Sequence, residues 1–154
     1  MNSNLLQVFQ KKINSFFKSN KIDHGLISDS ALDTLKVLKE NKYDAFIVGG
    51  AIRDILMGYK PKDFDIATNA TPEQVRSIFK RSRIIGRRFK LVHVIYGREI
   101  IEVSTFRSKP RQKIQMANGV LKDNEYGSIE EDAERRDFTI NALYYNVEDK
   151  NLID

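Results

Sequence analysis

Residues 45–67 constrain this chain more than any other stretch. Ala45, Phe46, Ile47 and Val48 form a short apolar run with β-branched members, and the run passes directly into Gly49-Gly50. Ile52, Ile55 and Leu56 then recur at helical spacing until Gly58 stops the pattern. Residues 63–67 alternate acid and apolar, as Asp63, Phe64, Asp65, Ile66 and Ala67. The reading is strand, glycine turn, short helix, return strand. A period of two places Asp63 and Asp65 on one face and sends Phe64 and Ile66 into the core. At Gly49-Gly50 a backbone without side chains lets N–H groups approach phosphate oxygens, and one short helix returns the chain so that glycines and acids face one pocket. Adjacent carboxylates repel unless a cation is present, and such a pair is what Mg²⁺ or Mn²⁺ takes when bridging to substrate phosphates. Solvated acids at a strand end and an ordinary turn are the plainer alternatives for the same residues.

The flanks read as a mixed sheet with helices. Leu5, Phe9, Ile13, Phe16 and Phe17 mark an amphipathic helix over residues 4–19, with Lys11, Lys12 and Lys18 on its polar side. After a polar connector, Ser30 is the expected cap of a helix whose buried stripe is Leu32, Leu35, Val37 and Leu38. Thr71-Pro72-Glu73-Gln74 is a capped start with proline in the first turn, ahead of Val75, Ile78 and Phe79. Residues 90–96 and 99–106 are β-rich and meet at Gly97-Arg98, a hairpin signal in which the leading glycine favours a II′ turn. Ser128 with Glu131 spells another capping box, opening a helix to about Arg136, and residues 142–147 are strand-like. The fold class expected is α/β of the α+β kind: an N-terminal helix and connector over residues 1–28 and one domain over 29–154. A length of 154 residues at 41% hydrophobic suits one compact core. The absence of cysteine excludes disulfides, Cys-ligated zinc and thiol nucleophiles and fits a reducing compartment. Gln10, Lys11 and Lys12 interrupt the first apolar set, so no membrane span or signal core is read, and the cytoplasm is the expected location.

Other residues bear on chemistry. Glu102 shares a strand face with Ile100 and Ser104, a costly place for a charge unless it completes a metal site, serves as a general base, or pairs with Arg98 or Arg107. The chain's net charge is +5, and residues 76–90 hold seven cations with no acid: Arg76, Lys80, Arg81, Arg83, Arg87, Arg88 and Lys90. Such a run is either a solvated face or a phosphate-backbone contact. Residues 108–122 add Lys109, Arg111, Lys113 and Lys122, with Pro110 and Gly119, and read as a basic loop. His93, between Leu91 and Ile95, reads as a structural histidine. Arg135 and Arg136 suit a helix C-terminus, and one of them is also able to grip a triphosphate.

Three strings carry a resemblance: VGGAIRDILMGYKPKDFDIATNATPEQ, IIGRRFKLVHVIYGREIIEVSTFR and LKDNEYGSIEEDAERRDFTINALYY. In this order they closely resemble the class II template-independent nucleotidyltransferases, the bacterial poly(A) polymerases and CCA-adding enzymes, over residues 31–145. The IIGRRFKLVHV block and the DNEYGSIEED run look more like the poly(A) polymerase branch. The resemblance implies a polymerase-β-like catalytic head that uses Mg²⁺ to transfer AMP from ATP to an RNA 3′ hydroxyl. It implies that Asp63 and Asp65 are catalytic metal ligands, with Glu102 as a further acid, and that Gly49, Gly50 and Arg53 contact the triphosphate. Arg136, Asp137 and Asn141 match a second nucleotide-side motif, in which Asp137 belongs to the catalytic set. Arg83, Arg87, Arg88, Lys109 and Arg111 are the expected RNA contacts. A CCA-adding tRNA nucleotidyltransferase is the near alternative, and a non-catalytic RNA-binding module on the same fold is a further one. In the family a neck and body follow the head and carry base selection, and no match to them is read before Asp154. The run from Glu131 to Arg135 spells the neck's E-D-x-x-R but precedes the Arg-Arg-Asp motif, and is read as coincidence. The 108–122 loop is shorter than poly(A) polymerases usually carry.

Overall fold

The structure, a computed structural model, describes residues 22–87, 89–108, 126–136 and 142–153. The helix expected over residues 4–19 lies outside them. The strands are β1 (Ala45–Val48), β2 (Phe64–Thr68), β3 (Ser82–Ile85), β4 (Leu91–Tyr96), β5 (Glu99–Thr105), β6 (Tyr144–Asn146) and β7 (Asn151–Ile153). They form one sheet in the order β3-β4-β5-β2-β1-β6-β7. Among the described residues β2 and β5 run parallel and the other neighbouring strands antiparallel. The expected mixed sheet is present.

Alternation sorts the side chains by face. Ile47, Phe64, Ile66, Val92, Val94, Ile101 and Val103 are buried in one core with residues of α1 (Asp29–Glu40), α2 (Gly50–Leu56) and α3 (Pro72–Ile78). Each such side chain contributes roughly 1.5–3 kcal/mol by leaving water. On the other face Val48, Ala67, Phe106 and Tyr144 make a smaller cluster with Phe46 and with Ile129 and Ala133 of α4 (Ile129–Glu134). That cluster covers only part of its face, and the acids lie on the same side of the sheet.

Local chemistry explains most element starts. Thr71 and Gln74 form a reciprocal capping box with Pro72 in the first turn, and Ser128 and Glu131 form another, both as expected. The β4–β5 hairpin is also as expected: Gly97 has φ +60, while Arg98 is not among the positive-φ residues, as a II′ turn requires. The cap of α1 differs. Ser28 rather than Ser30 accepts the Ala31 N–H, at 3.2 Å, and Ser30 sits inside the first turn with its carbonyl 2.8 Å from Thr34 Oγ1. The buried stripe shifts accordingly to Ala31, Thr34, Leu35 and Leu38, leaving Leu32 and Val37 half-buried. The Tyr96 hydroxyl donates to Asp33 and lies 3.0 Å from Thr34 Oγ1, which ties α1 to the hairpin. No separate strand was expected for residues 82–85 or 151–153. β3 is an edge strand anchored by buried Ser82, whose hydroxyl donates to the Phe79 carbonyl at 2.6 Å. β7 follows a turn in which Lys150 takes φ +52 and Asn146 bonds the Glu148 amide.

Candidate active site

Strand register assembles the acidic residues. The two-residue turn at Gly97-Arg98 pairs Tyr96 with Glu99, and counting back along the ladder brings His93 opposite Glu102. The parallel β2–β5 pairing sets Asp65 opposite Glu102, and β3–β4 sets Arg83 opposite His93. Arg83, His93, Glu102 and Asp65 therefore form one row across four strands, on the face away from Phe64 and Ile66. Asp63 stands just before β2 and is exposed.

Gly49 closes the site on the β1 side. Val48 pairs with Asp65, and the next residue, Gly49, takes φ +73 and ψ −142 as the N-cap of α2. A Cβ added there would lie 3.6 Å from Asp65 Oδ2, an ordinary contact, so backbone conformation rather than crowding requires the glycine. At Gly50 a Cβ would come within 3.3 Å of Arg53 Nη2. Arg53 is folded back over the start of α2, and its Nε and Nη2 donate to Asp54 Oδ1 at 3.0 and 2.8 Å.

The electrostatics follow from this crowding. Asp65 keeps contact with solvent, yet its pKa is raised, first by partial desolvation and then by the Glu102 charge; Arg136 opposes the shift and Asp63 adds to it. Among the described residues neither Asp63 nor Asp65 has a hydrogen-bond or ion-pair partner for its carboxylate. Glu102 pairs with neither Arg98 nor Arg107; its Oε1 lies 3.3 Å from His93 Nε2. Arg107 instead stacks over the Phe89 ring at 4.6 Å. Among the described residues no three acidic or histidine side chains converge tightly enough to hold a cation alone. Asp63 and Asp65 are thus a partial set of hard oxygen donors, the kind that substrate phosphates and water complete around Mg²⁺.

The remaining expected residues divide. Arg136 is fixed beside Asp132 and Tyr144, with Nη2 3.0 Å from Asp132 Oδ2 and Nε 3.0 Å from the Tyr144 hydroxyl. Arg83 and Arg87 are exposed. Arg88, Lys109, Arg111, Asp137 and Asn141 lie outside the described residues. The basic run is less one-sided than the sequence implies, because Glu73 of α3 meets Lys90 at 3.0 Å. Sequence reasoning missed His93 as the neighbour of Glu102, although the hairpin register contained that signal. It also missed buried Asp132, whose spacing of four from Arg136 is a local pairing signal but says nothing of burial.

Residues 45–154 match the model of the poly A polymerase head domain. The chain belongs to that family. It is 53% identical over 135 residues to poly(A) polymerase I of Haemophilus influenzae, covering 82% of this chain and 30% of that protein. It is 40% identical over 126 residues to a CCA-adding enzyme of Lactobacillus johnsonii, covering 81% of this chain and 31% of that one. A solved CCA-adding enzyme of Bacillus stearothermophilus, in complex with CTP, superposes with a TM-score of 0.65 at 38% identity, over 80% of this chain and 28% of that one. This head domain spans about a third of the length of the relatives it matches. Among its described residues no helix is long and apolar enough to cross a membrane.

Proposed function

We propose that this chain is the catalytic head of an enzyme that transfers AMP from ATP to the 3′ hydroxyl of RNA without a template. The observation that supports it best is the pairing of Asp65 with Glu102 beside the Gly49 turn, with no hydrogen-bonded partner for the Asp65 charge among the described residues. Asp63 and Asp65 would hold Mg²⁺, which when bound supplies charge neutralisation at the phosphate oxygens. In the reaction the 3′ oxygen forms a bond to the α-phosphorus, the bond from that phosphorus to the bridging oxygen breaks, and pyrophosphate leaves. Glu102, half-exposed and steadied by His93, would accept the proton of the attacking hydroxyl. The amides at Gly49 and Gly50 and the charges of Arg53 and Arg136 serve the triphosphate, with Asp137 and Asn141 completing the nucleotide side. Arg83, Arg87, Arg88, Lys109 and Arg111 serve the RNA phosphates. A protein of this kind acts where RNA and ATP meet, in the cytoplasm.

The higher identity to a poly(A) polymerase than to a CCA-adding enzyme favours ATP as the substrate. The CTP-bound structure of a relative supports CCA addition as the second reading. The test is incorporation onto a labelled RNA 3′ end by the whole protein that contains this head, with each triphosphate offered separately. Long runs from ATP alone support polyadenylation. Limited addition requiring CTP supports the second reading, and no incorporation from any triphosphate overturns both.

A further inference from the structure

Asp132 is 4% exposed, and a carboxylate so buried is costly unless its oxygens are satisfied. Its oxygens have separate duties. Oδ1 accepts the backbone N–H of Arg107 at 3.1 Å, where the chain leaves β5. Oδ2 accepts the Tyr144 hydroxyl at 2.5 Å and the Arg136 guanidinium through Nη2 at 3.0 Å and Nε at 3.3 Å. Arg136 Nε also donates to the Tyr144 hydroxyl oxygen at 3.0 Å, with the guanidinium 5.3 Å from the ring centroid. The three side chains close a triangle that holds one edge of the guanidinium.

The sheet places that triangle relative to the acids. Val48 of β1 pairs with Asp65 on one side and with Tyr144 on the other. Tyr144 is therefore two strand spacings from Asp65, roughly 10 Å, a gap that a ligand spanning several phosphates can bridge. Tyr144 is fully buried among Val48, Ala67 and Phe106, so its hydroxyl has a fixed position. Arginine is a long, flexible side chain, and ordering it before a ligand arrives removes an entropy loss from binding.

We propose that Asp132 and Tyr144 are positioning residues for Arg136, fixing its guanidinium in advance and so setting how tightly the head holds a nucleoside triphosphate. This rests on the reading above that Arg136 serves the triphosphate. Burial, and then the hydrogen bond to Asp132, raises the Tyr144 pKa, so the hydroxyl remains a donor at neutral pH.

Tyr144→Phe is the informative variant, because it removes the hydroxyl without changing the charge or the ring; Asp132→Asn removes the shared acceptor charge but risks the fold. The measurement is calorimetric titration of this chain with ATP and Mg²⁺ well below its melting temperature, for wild type, Tyr144→Phe, Arg136→Ala and the double variant. Tyr144→Phe should raise Kd about fivefold, the scale of ordering one long side chain only when the ligand arrives, and Arg136→Ala should raise it further. In the Arg136→Ala background Tyr144→Phe should then have no additional effect, a coupling that a purely structural role does not produce. An unchanged Kd for Tyr144→Phe beside a weakened Arg136→Ala, or full additivity of the two, overturns the positioning role and leaves the triphosphate reading intact. An Arg136→Ala chain that binds as tightly as wild type overturns both.

Discussion

The fold holds Asp65 against an electrostatic cost. Partial desolvation is the largest cause of its raised pKa, followed by Glu102, with Arg136 in opposition and Asp63 in support. A carboxylate whose folded pKa lies above its unfolded value subtracts stability at pH above the folded pKa. That penalty fades as pH falls toward the unfolded value, about 3.9. Asp65→Asn should therefore raise the melting temperature slightly at neutral pH without divalent cations, and the gap to wild type should close in acid. Calorimetric melts across that pH range check it, and a lower melting temperature at neutral pH would count against the crowding of charge described here. Asp132 shows the opposite balance. Burial raises its pKa, but the Tyr144 hydroxyl, Arg136 and the Arg107 amide together leave it lowered. One acid is stored against repulsion, and the other is satisfied. Nothing in Glu131, Asp132 or Glu134 as letters separates a buried acid from its solvated neighbours. The partners that make the difference are Tyr144, from another element, and the backbone of Arg107.

At the scale of elements, the β1–α2 junction has the most exacting backbone. Gly49 combines φ +73 with ψ −142, a region that side-chain-bearing residues avoid, although the space for a Cβ is open. Gly49→Ala should cost roughly 1–3 kcal/mol through strain alone, measurable by urea unfolding. A neutral effect would mean that the turn relaxes freely, and that the glycine is kept only for approach by a ligand. The elements legible in the sequence are those with a local chemical signature: the Thr71–Gln74 and Ser128–Glu131 boxes, the Gly97 hairpin, and the apolar runs before and after Gly49-Gly50. The cap of α1 was read two residues late, at Ser30, because Ser28 and Ser30 are both competent caps, and only the packing of Ala31, Leu35 and Leu38 against the core decides between them. β3 and β7 were not legible for a different reason. They are short strands that exist because a neighbour offers a ladder, and the exposed Ile84, Ile85 and Ile153 give no clean alternation.

Over the whole molecule, the sheet divides the work between its faces. One face is filled by α1, α2 and α3, and the other carries the acids and the aromatic cluster under α4. The groups gathered near Asp65 are backbone amides, arginines and carboxylates, whose chemistry suits phosphate and metal rather than a base edge. The head should therefore bind ATP and CTP in the presence of Mg²⁺ with constants within a few-fold of each other, a difference below about 1.4 kcal/mol. Calorimetry with each nucleotide checks this, and a hundredfold preference for ATP would place base reading inside the head. The candidate site was partly legible in the sequence: Asp63, Asp65, Glu102 and the glycine pair were visible, but His93 joined Glu102 only through register across the hairpin.

The most direct measurement is single-turnover transfer of labelled ATP to an RNA 3′ end by the whole protein carrying this head, comparing wild type with Asp65→Asn and Asp63→Asn. Each variant should keep its fold by melting, Asp65→Asn at a temperature no lower than wild type, and each should lose transfer to background. Near-normal transfer by either variant would contradict the placement of the reaction at Asp63 and Asp65.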